Sequence, residues 1–467
     1  LRSLLEREVL SRIRPTKEEE SHIQDVARKI LSFVKKSGKA DAMIVGSVAR
    51  GTWIHGDRDL DIFLLFDPSL TREQLEEEGL SLAREIASKE ASGFREKYAE
   101  HPYINATIDS LDVDLVPCYR VESASCLQSA VDRTPFHTRY IRERIPSYLD
   151  DVLLLKQFAK AGGIYGSDQM TEGFSGYLCE LLVLHCKGFR PLLEAAAEWR
   201  PGVVLDLESH QSKKFSEPLV VVDPVDPGRN VSASVSLSRF CEFIELASGY
   251  LSCPSPRFFS PAEVIPLPRD SLEGLLSSRG TFLYAVTFRT PPYIADIVVP
   301  QLRKSLESIC GLLERHGFSP NRADCEMHEE RSILLFELLV DRLPSVRRHA
   351  GPPVWNRVNS EKFTRKYFDA AEDGFFTGPF IEQGKYVVEI RRSYTHAAEL
   401  LRSGELLEVA LGRHVKIAME GGWEVSFGSD CWDPEFAGFL TLFLMKSSPL
   451  TRILRDREKD PGSDKTG

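Results

Sequence analysis

Little in this chain points to an extracellular or membrane setting. Its nine cysteines include no CxxC pair, so the sequence contains neither a zinc ribbon nor a dithiol redox motif. The odd, scattered set reads as reduced thiols rather than a disulfide framework. No apolar run reaches the ~20 residues that a membrane-spanning helix needs, and the stretch after Leu1 has no secretory pattern. Low-complexity tracts and internal repeats are missing. Basic residues are not in excess either: 59 Lys and Arg face 69 Asp and Glu, a net charge of −10. That argues against a protein coated in positive charge and does not exclude one with local basic patches. What remains, 42% hydrophobic and 27% charged residues in 467, is the composition of a globular cytoplasmic protein with room for about three or four domains.

Local patterns divide the chain. Thr16 and Glu19 form a capping box, and Ile23, Val26, Ile30, Phe33 and Val34 follow at helical spacing. Strands are expected at Ala42–Val45, Leu60–Phe66, Ile104–Ile108 and Asp112–Cys118, with a helix over Thr71–Lys89. Residues 150–199 have helical periodicity, with Cys179 and Cys186 in its apolar stretches. A strand over Leu219–Val222 and a helix over Ser238–Tyr250 come next. The proline-rich "CPSPRFFSPAEVIPLPRD" is the best linker candidate. Beyond it, a strand at Thr281–Phe288, a long helix with Cys310 on it, and a strand at Ile333–Val340 suggest a ferredoxin-like or RNA-recognition-like layer. A strand at Tyr386–Ile390 and a helix around Glu405–Met419 complete the ordered part. The apolar-free "RDREKDPGSDKTG" is expected to be disordered.

The chemistry concentrates in "GSVARGTWIHGDRDLDIFLLF". Asp59 and Asp61 lie two apart at the start of a strand, so both carboxylates point to one face. "LDVDLVPCY" repeats the design with Asp112 and Asp114. If the two strands are neighbours, Asp114 completes a cluster with Asp59 and Asp61, while Asp112 reads as a strand-end residue facing water. Carboxylates so close repel and raise one another's pKa. Mg²⁺, a hard cation that keeps waters and takes substrate phosphates, relieves that penalty. Gly46 permits close backbone approach, Ser47 adds a hydroxyl at a helix start, and Arg50 adds a fork of donors, which together make a phosphate grip beside a metal grip.

Gly46-Ser47, Asp59-Leu60-Asp61 and Asp114 resemble the polymerase-β nucleotidyltransferase signature. The longer blocks "YAEHPYINATI", "VDLVPCY", "SAVDRTPFH", "GIYG", "GFSGYLCELL" and "VVDPVDPGRNVSASVS" resemble the archaeal-type, class I CCA-adding enzymes, which are tRNA nucleotidyltransferases. The resemblance is densest from Gly46 to Ser236. It implies an α+β multidomain chain: a catalytic head over residues 1–145, a helical central domain over 146–256, a ferredoxin- or RRM-like body over 257–345, an RNA-binding tail over 346–455 and a disordered end over 456–467. It implies that Asp59, Asp61 and Asp114 hold two Mg²⁺ ions, that Ser47 and Arg50 meet the nucleotide phosphates, and that His137, Lys156 and Tyr165 contact the nucleoside triphosphate. Arg229 is implied in recognition of the incoming base. Without the resemblance, Lys156 would read as a surface lysine and Arg229 as a partner of Asp226, while "GFSGYLCELL" reads first as helix packing. Glu100 and His101 are expected near the site.

The implied reaction adds C, C and A to tRNA from CTP and ATP, with no nucleic-acid template and no membrane, in an enzyme that tends to be a homodimer. A basic stretch, with Arg342, Arg347, Arg348, Arg357, Lys362, Arg365 and Lys366 interleaved with Trp355, Phe363, Tyr367 and Phe368, is expected to grip the tRNA backbone and stack on loop bases. Three rival readings share the short signature: a poly(A) polymerase, a transferase acting on small molecules, and a non-catalytic RNA-binding relative. Retention of three mutually repelling aspartates argues against the last. The later units and the basic stretch argue against the small-molecule enzyme.

Overall fold

The computed structural model describes residues 2–98, 102–261, 263–368 and 375–455, which leaves Glu100, His101 and the expected disordered end outside the described residues. It divides into two compact units, Leu1–Glu263 with Ser447–Gly467, and Val264–Lys446.

The first unit opens with helices α1 (Leu4–Ile13) and α2 (Lys17–Ser37). The second starts at the capping box read from Thr16 and Glu19. Strand β1 (Asp41–Ile44), the short helix α3 (Gly46–Arg50) and strand β2 (Asp59–Phe66) lead into helix α4 (Arg72–Glu90) and strands β3 (Gly93–Tyr98), β4 (Pro102–Ile108) and β5 (Leu111–Tyr119). The sheet order is β1-β2-β5-β4-β3. Strands β2 and β5 are parallel neighbours, as the α4 crossover between them requires. Alternation in β2 sends Leu60, Ile62, Leu64 and Phe66 into a core with Leu75, Leu82 and Ile86 of α4. Each such side chain contributes about 1.5–3 kcal/mol. The opposite parity puts Asp59 and Asp61 on the other face.

Helices α5 (Thr134–Arg144), α6 (Leu149–Gly162), α7 (Gly176–Cys186), α8 (Phe189–Ala196) and α9 (Leu237–Ser252) build a second core. Strands β6 (Val203–Leu205) and β7 (Leu219–Val221) lie between α8 and α9. Part of the proline-rich stretch belongs to this core rather than to a linker: Phe258 and Phe259 are buried against Phe158 and Tyr250. The boundary between the units falls a few residues later, at 263/264.

The second unit begins with helix α10 (Arg269–Arg279), strand β8 (Phe282–Arg289), helix α11 (Ala295–His316) and strands β9 (Pro320–Met327) and β10 (Arg331–Leu338). Strand β11 (Val346–Pro353), helix α12 (Arg357–Phe368) and strands β12 (Phe375–Glu382) and β13 (Lys385–Arg391) form a separate three-stranded layer of order β11-β13-β12. The main sheet closes with strand β14 (Trp423–Phe427) in the antiparallel order β14-β8-β10-β9. Leu334, Phe336 and Leu338 face α11, while Ile333 and Leu335 face the opposite core with Leu272 of α10. Burial on both faces is why this strand reads as one continuous apolar run.

The helix expected around Glu405–Met419 is two pieces, Glu405–Glu408 and Arg413–Glu420. The break sits at Gly412. A methyl group there would meet Gln301 of α11 at 2.3 Å, and the Gly412 N–H donates to Ser305 Oγ at 2.9 Å. The chain leaves the helical path in order to rest on α11.

Glu337 is the exception in the apolar β10. Its carboxylate is fully buried and accepts from Arg279 (2.6 Å), Thr281 (2.7 Å), Asn321 (2.8 Å) and Arg322 (3.1 Å). Burial alone raises its pKa, but these four donors outweigh it and hold the group down at about 2, against an ordinary value of 4.5. A carboxyl depressed by folding stabilises fully above its unfolded pKa and loses that contribution as pH falls. Melting temperature is therefore expected to drop between pH 4.5 and about 2. Glu337→Gln should remove about 2–3 kcal/mol of that dependence. Parallel pH–melting curves for parent and variant test this.

Candidate active site

The parallel register of β2 and β5 places Asp59 beside Asp112 and Asp61 beside Asp114. All four carboxylates thus share one sheet face at the same strand ends. Asn105 of β4, opposite Asp114, joins them: its amide donates to Asp114 at 2.7 Å and also to Asp112. Asp112, although exposed, is therefore tied to the set rather than a bare strand end. Asp61 is pushed up to about 6, first by burial and then by Asp114 and Asp59, with Arg50 opposing. Asp59 is raised by desolvation and by Asp57, Asp112 and Asp114. Asp114 is raised by burial against the pull of Asn105 and Lys97. The Tyr103 hydroxyl is pushed up to about 12 by burial and by Asp114, Asp61 and Asp112.

Gly46 completes this corner. Its φ of +71° lies in the left-handed region, and a methyl carbon placed on it would stand 1.9 Å from Asp61 Oδ2. The Val45 N–H donates to the Asp61 carbonyl at 3.0 Å, which fixes the turn against β2. Ser47 lies in the first turn of α3.

As the side chains stand, no group of three or more His, Cys, Asp or Glu among the described residues is drawn together closely enough to hold a metal ion. One Asp114 oxygen is engaged by Asn105, and Asp61 Oδ2 faces Gly46. The donors are all hard oxygens, and burial together with neighbouring carboxylates raises the pKa of all three. In donor type and in charge, the set fits a divalent cation such as Mg²⁺.

Two buried carboxylates that the sequence reading passed over organise the remaining predicted residues. Glu180 of α7 is fully buried. It takes Arg50 Nε at 2.9–3.0 Å and the Thr52 hydroxyl, and stands 3.8 Å from Lys156 Nζ. Lys156 is not a surface lysine. It is 2% exposed and donates to the Thr52 carbonyl at 2.7 Å, and burial lowers its pKa against the pull of Glu180. Tyr165 lies next to it: a methyl carbon on Gly176, at the start of α7, would lie 3.0 Å from the Tyr165 hydroxyl and 3.3 Å from Lys156 Nζ. Lys160 sits 5.3 Å over the Tyr165 ring and pairs with Asp57 at 2.7 Å.

The second carboxylate is Asp223, at the end of the β7 segment. His137 Nε2 lies 2.9 Å from Oδ2, Arg229 donates to the same oxygen at 2.7 Å, and the Tyr177 hydroxyl donates to Oδ1 at 3.3 Å. His137 and Tyr177 are stacked at 4.3 Å. Arg229 thus pairs with Asp223, while Asp226 takes Arg133 instead at 3.0 Å. "GFSGYLCELL" therefore supplies Tyr177 and Glu180 to the site as well as packing. The signal was available: an acid inside "CELLVL" has no solvent to face.

Family models meet the chain along most of its length. One described as a nucleotidyltransferase domain matches residues 27–141. One described as the second domain of tRNA nucleotidyltransferase matches 150–260, and one described as the C-terminal domain of CCA-adding enzyme matches 279–428. The chain is 59% identical to the CCA-adding enzyme of Methanoregula boonei over 97% of its own length and 98% of that protein. The chain belongs to the CCA-adding enzymes. It is 42% identical to the Methanosarcina acetivorans member over 92% of this chain and 96% of that one. The Methanothermobacter thermautotrophicus member is 38% identical over 95% and 98%. This kinship is of the archaeal type and makes the chain a multidomain α+β protein with a nucleotidyltransferase fold.

In the second unit the expected RNA-binding cations are divided between two elements. Arg347 and Arg348 are exposed on β11, where Arg348 pairs with Glu382. Arg357, Lys362, Arg365 and Lys366 are exposed on α12, and Arg342 forms an isolated bridge with His396. Trp355 and Phe368 are about three-quarters exposed. Phe363 and Tyr367 instead pack together at 4.9 Å in this layer's own core, with His349 beside both. Among the described residues no helix is long and apolar enough to cross a membrane.

Proposed function

We propose that this chain adds C, C and A stepwise to tRNA 3′ ends from CTP and ATP, by nucleotidyl transfer that releases pyrophosphate. The observation that carries this reading is the β2–β5 register, which sets Asp59, Asp61 and Asp114 on one face next to the Gly46–Ser47 turn. In this reading Asp59, Asp61 and Asp114 hold two Mg²⁺ ions, which supply Lewis-acid activation of the RNA 3′-hydroxyl and charge neutralisation on the triphosphate. Ser47 and Arg50 orient the phosphates. His137, Lys156 and Tyr165 contact the nucleoside triphosphate, and Arg229 helps recognise the incoming base.

The finer division follows the same reading. A head and a helical central domain lie in the first unit. The second holds a ferredoxin-like body whose fourth strand is β14, with the β11–β13 layer and α12 as an insertion that grips tRNA. A cytoplasmic homodimer is the expected assembly, which light scattering reads directly.

The test is tRNA that ends before its last three nucleotides, incubated with Mg²⁺ and labelled CTP and ATP. Two C additions, one A and then a stop are expected. ATP-only tailing would indicate a poly(A) polymerase, and no incorporation a binding protein.

A further inference from the structure

Asp223 makes more contacts than the surrounding loop needs. The turn at 223–229 already closes through its own backbone: Asp223 N–H donates to Arg229 O, Asp226 N–H to Asp223 O, and Arg229 N–H to Asp226 O. The Asp223 side chain adds the Val225 N–H to that turn at 3.0 Å. Its remaining capacity goes to two side chains from distant segments, His137 of α5 and Tyr177 of α7, and to Arg229 at the far end of the turn. The carboxylate is fully buried, and His210 also reaches its backbone carbonyl at 3.1 Å. Burying an anion so completely is expensive unless its partners require it.

His137 is held flat against Tyr177 at 4.3 Å, which fixes the imidazole plane. Arg229 gives one Nη to Asp223 and remains 38% exposed, with its side of the loop lining a cavity of about 570 Å³. Arg133, Ser167, Ser175, Asn230 and Ser234 line the same cavity. A guanidinium tied at one nitrogen keeps its other donors in a fixed fork. The anchor therefore determines where that fork points.

We propose that Asp223 is the positioning residue that sets nucleotide selection: by anchoring Arg229 and His137 on one buried carboxylate, it fixes the direction in which Arg229 offers its free donors to the incoming base. The inference rests on the nucleotidyltransfer reading above and goes beyond it by naming what holds the base reader in place. Asp223 touches no substrate in this scheme and acts through Arg229.

The experiment compares parent, Asp223→Asn, Arg229→Ala and the double variant. Each is given CTP, UTP or GTP singly on tRNA ending before its last three nucleotides, and ATP, UTP or GTP singly on tRNA that already carries the two C. Asp223→Asn keeps the side chain's shape but turns an amide toward two donors. It is expected to raise KM for CTP and ATP at least tenfold, with a smaller change in kcat. Discrimination against UTP and GTP should fall at least tenfold. In the Arg229→Ala background, Asp223→Asn should change discrimination no further, an outcome that a merely structural role would not give. Unchanged selectivity in Asp223→Asn, or effects that multiply in the double variant, would overturn the inference. If Asp223→Asn melts more than about 10 °C below the parent, Asp223→Glu replaces it. The charge is then kept but the anchor moves, and unchanged selectivity again overturns the proposal. A parent that incorporates neither CMP nor AMP refutes the nucleotidyltransfer reading itself, which separates the two failures.

Discussion

Asp61→Asn is expected to lower nucleotide incorporation at least ~10³-fold, a loss of about 4 kcal/mol of transition-state stabilisation, while leaving the protein folded. Asp61 is the most buried of the three aspartates and faces both the glycine turn and Asp114. Its pKa near 6, above the ordinary 3.8, means that the folded chain disfavours its charge. A carboxyl raised by folding binds its proton more tightly in the native state, so stability falls as pH rises from about 4 to 6. At pH 7 and in EDTA, the asparagine variant should therefore melt at or above the parent temperature, with a gain on the order of 1–3 kcal/mol. Asp114→Asn should act in the same direction. Loss of activity with retained or increased stability is the signature of a site that holds repelling charges for chemistry rather than for folding. Single-turnover incorporation together with thermal melts checks both halves. Activity within tenfold of the parent would remove Asp61 from the reaction.

Gly46→Ala is the second large effect. The new methyl carbon would lie 1.9 Å from Asp61 Oδ2 on a backbone at φ +71°, so either the turn or the carboxylate must move. We expect about 1–3 kcal/mol of destabilisation from strain and at least ~10²-fold lower activity from displacing Asp61 and Ser47. Gly38→Ala is the matched control. Gly38 has φ +66° and nothing within 4 Å of the added carbon. It should lose about 1 kcal/mol and keep its activity.

The parts of this site that were legible in the sequence are the local ones. Alternation in "DLDIFLLF" and "LDVDLVP" gives the face of each aspartate, because strand parity is a property of a few residues. The Thr16 capping box and the strand over Asp112–Cys118 were readable for the same reason. Contacts made across the chain were less visible. Tyr103 and Asn105 share a parity in "YINATI" that could have been read, but only the β4–β5 register shows what they face. Lys156 looks amphipathic in sequence, yet "VLLLKQF" has apolar residues on both sides of it, and its amine ends beside Glu180. Arg229 has two aspartates before it in its loop, Asp223 and Asp226. Which one it chooses depends on His137 and Tyr177 arriving at Asp223 from elsewhere. The break at Gly412 likewise answers to α11, more than a hundred residues away.

The central claim is that Asp59, Asp61 and Asp114 form a cation site beside the nucleotide. Mn²⁺ titration followed by EPR, with CTP present, measures this without turnover. Parent protein should bind Mn²⁺ at least tenfold more tightly than Asp61→Asn or Asp114→Asn. Equal Mn²⁺ affinity and stoichiometry in all three proteins would contradict it.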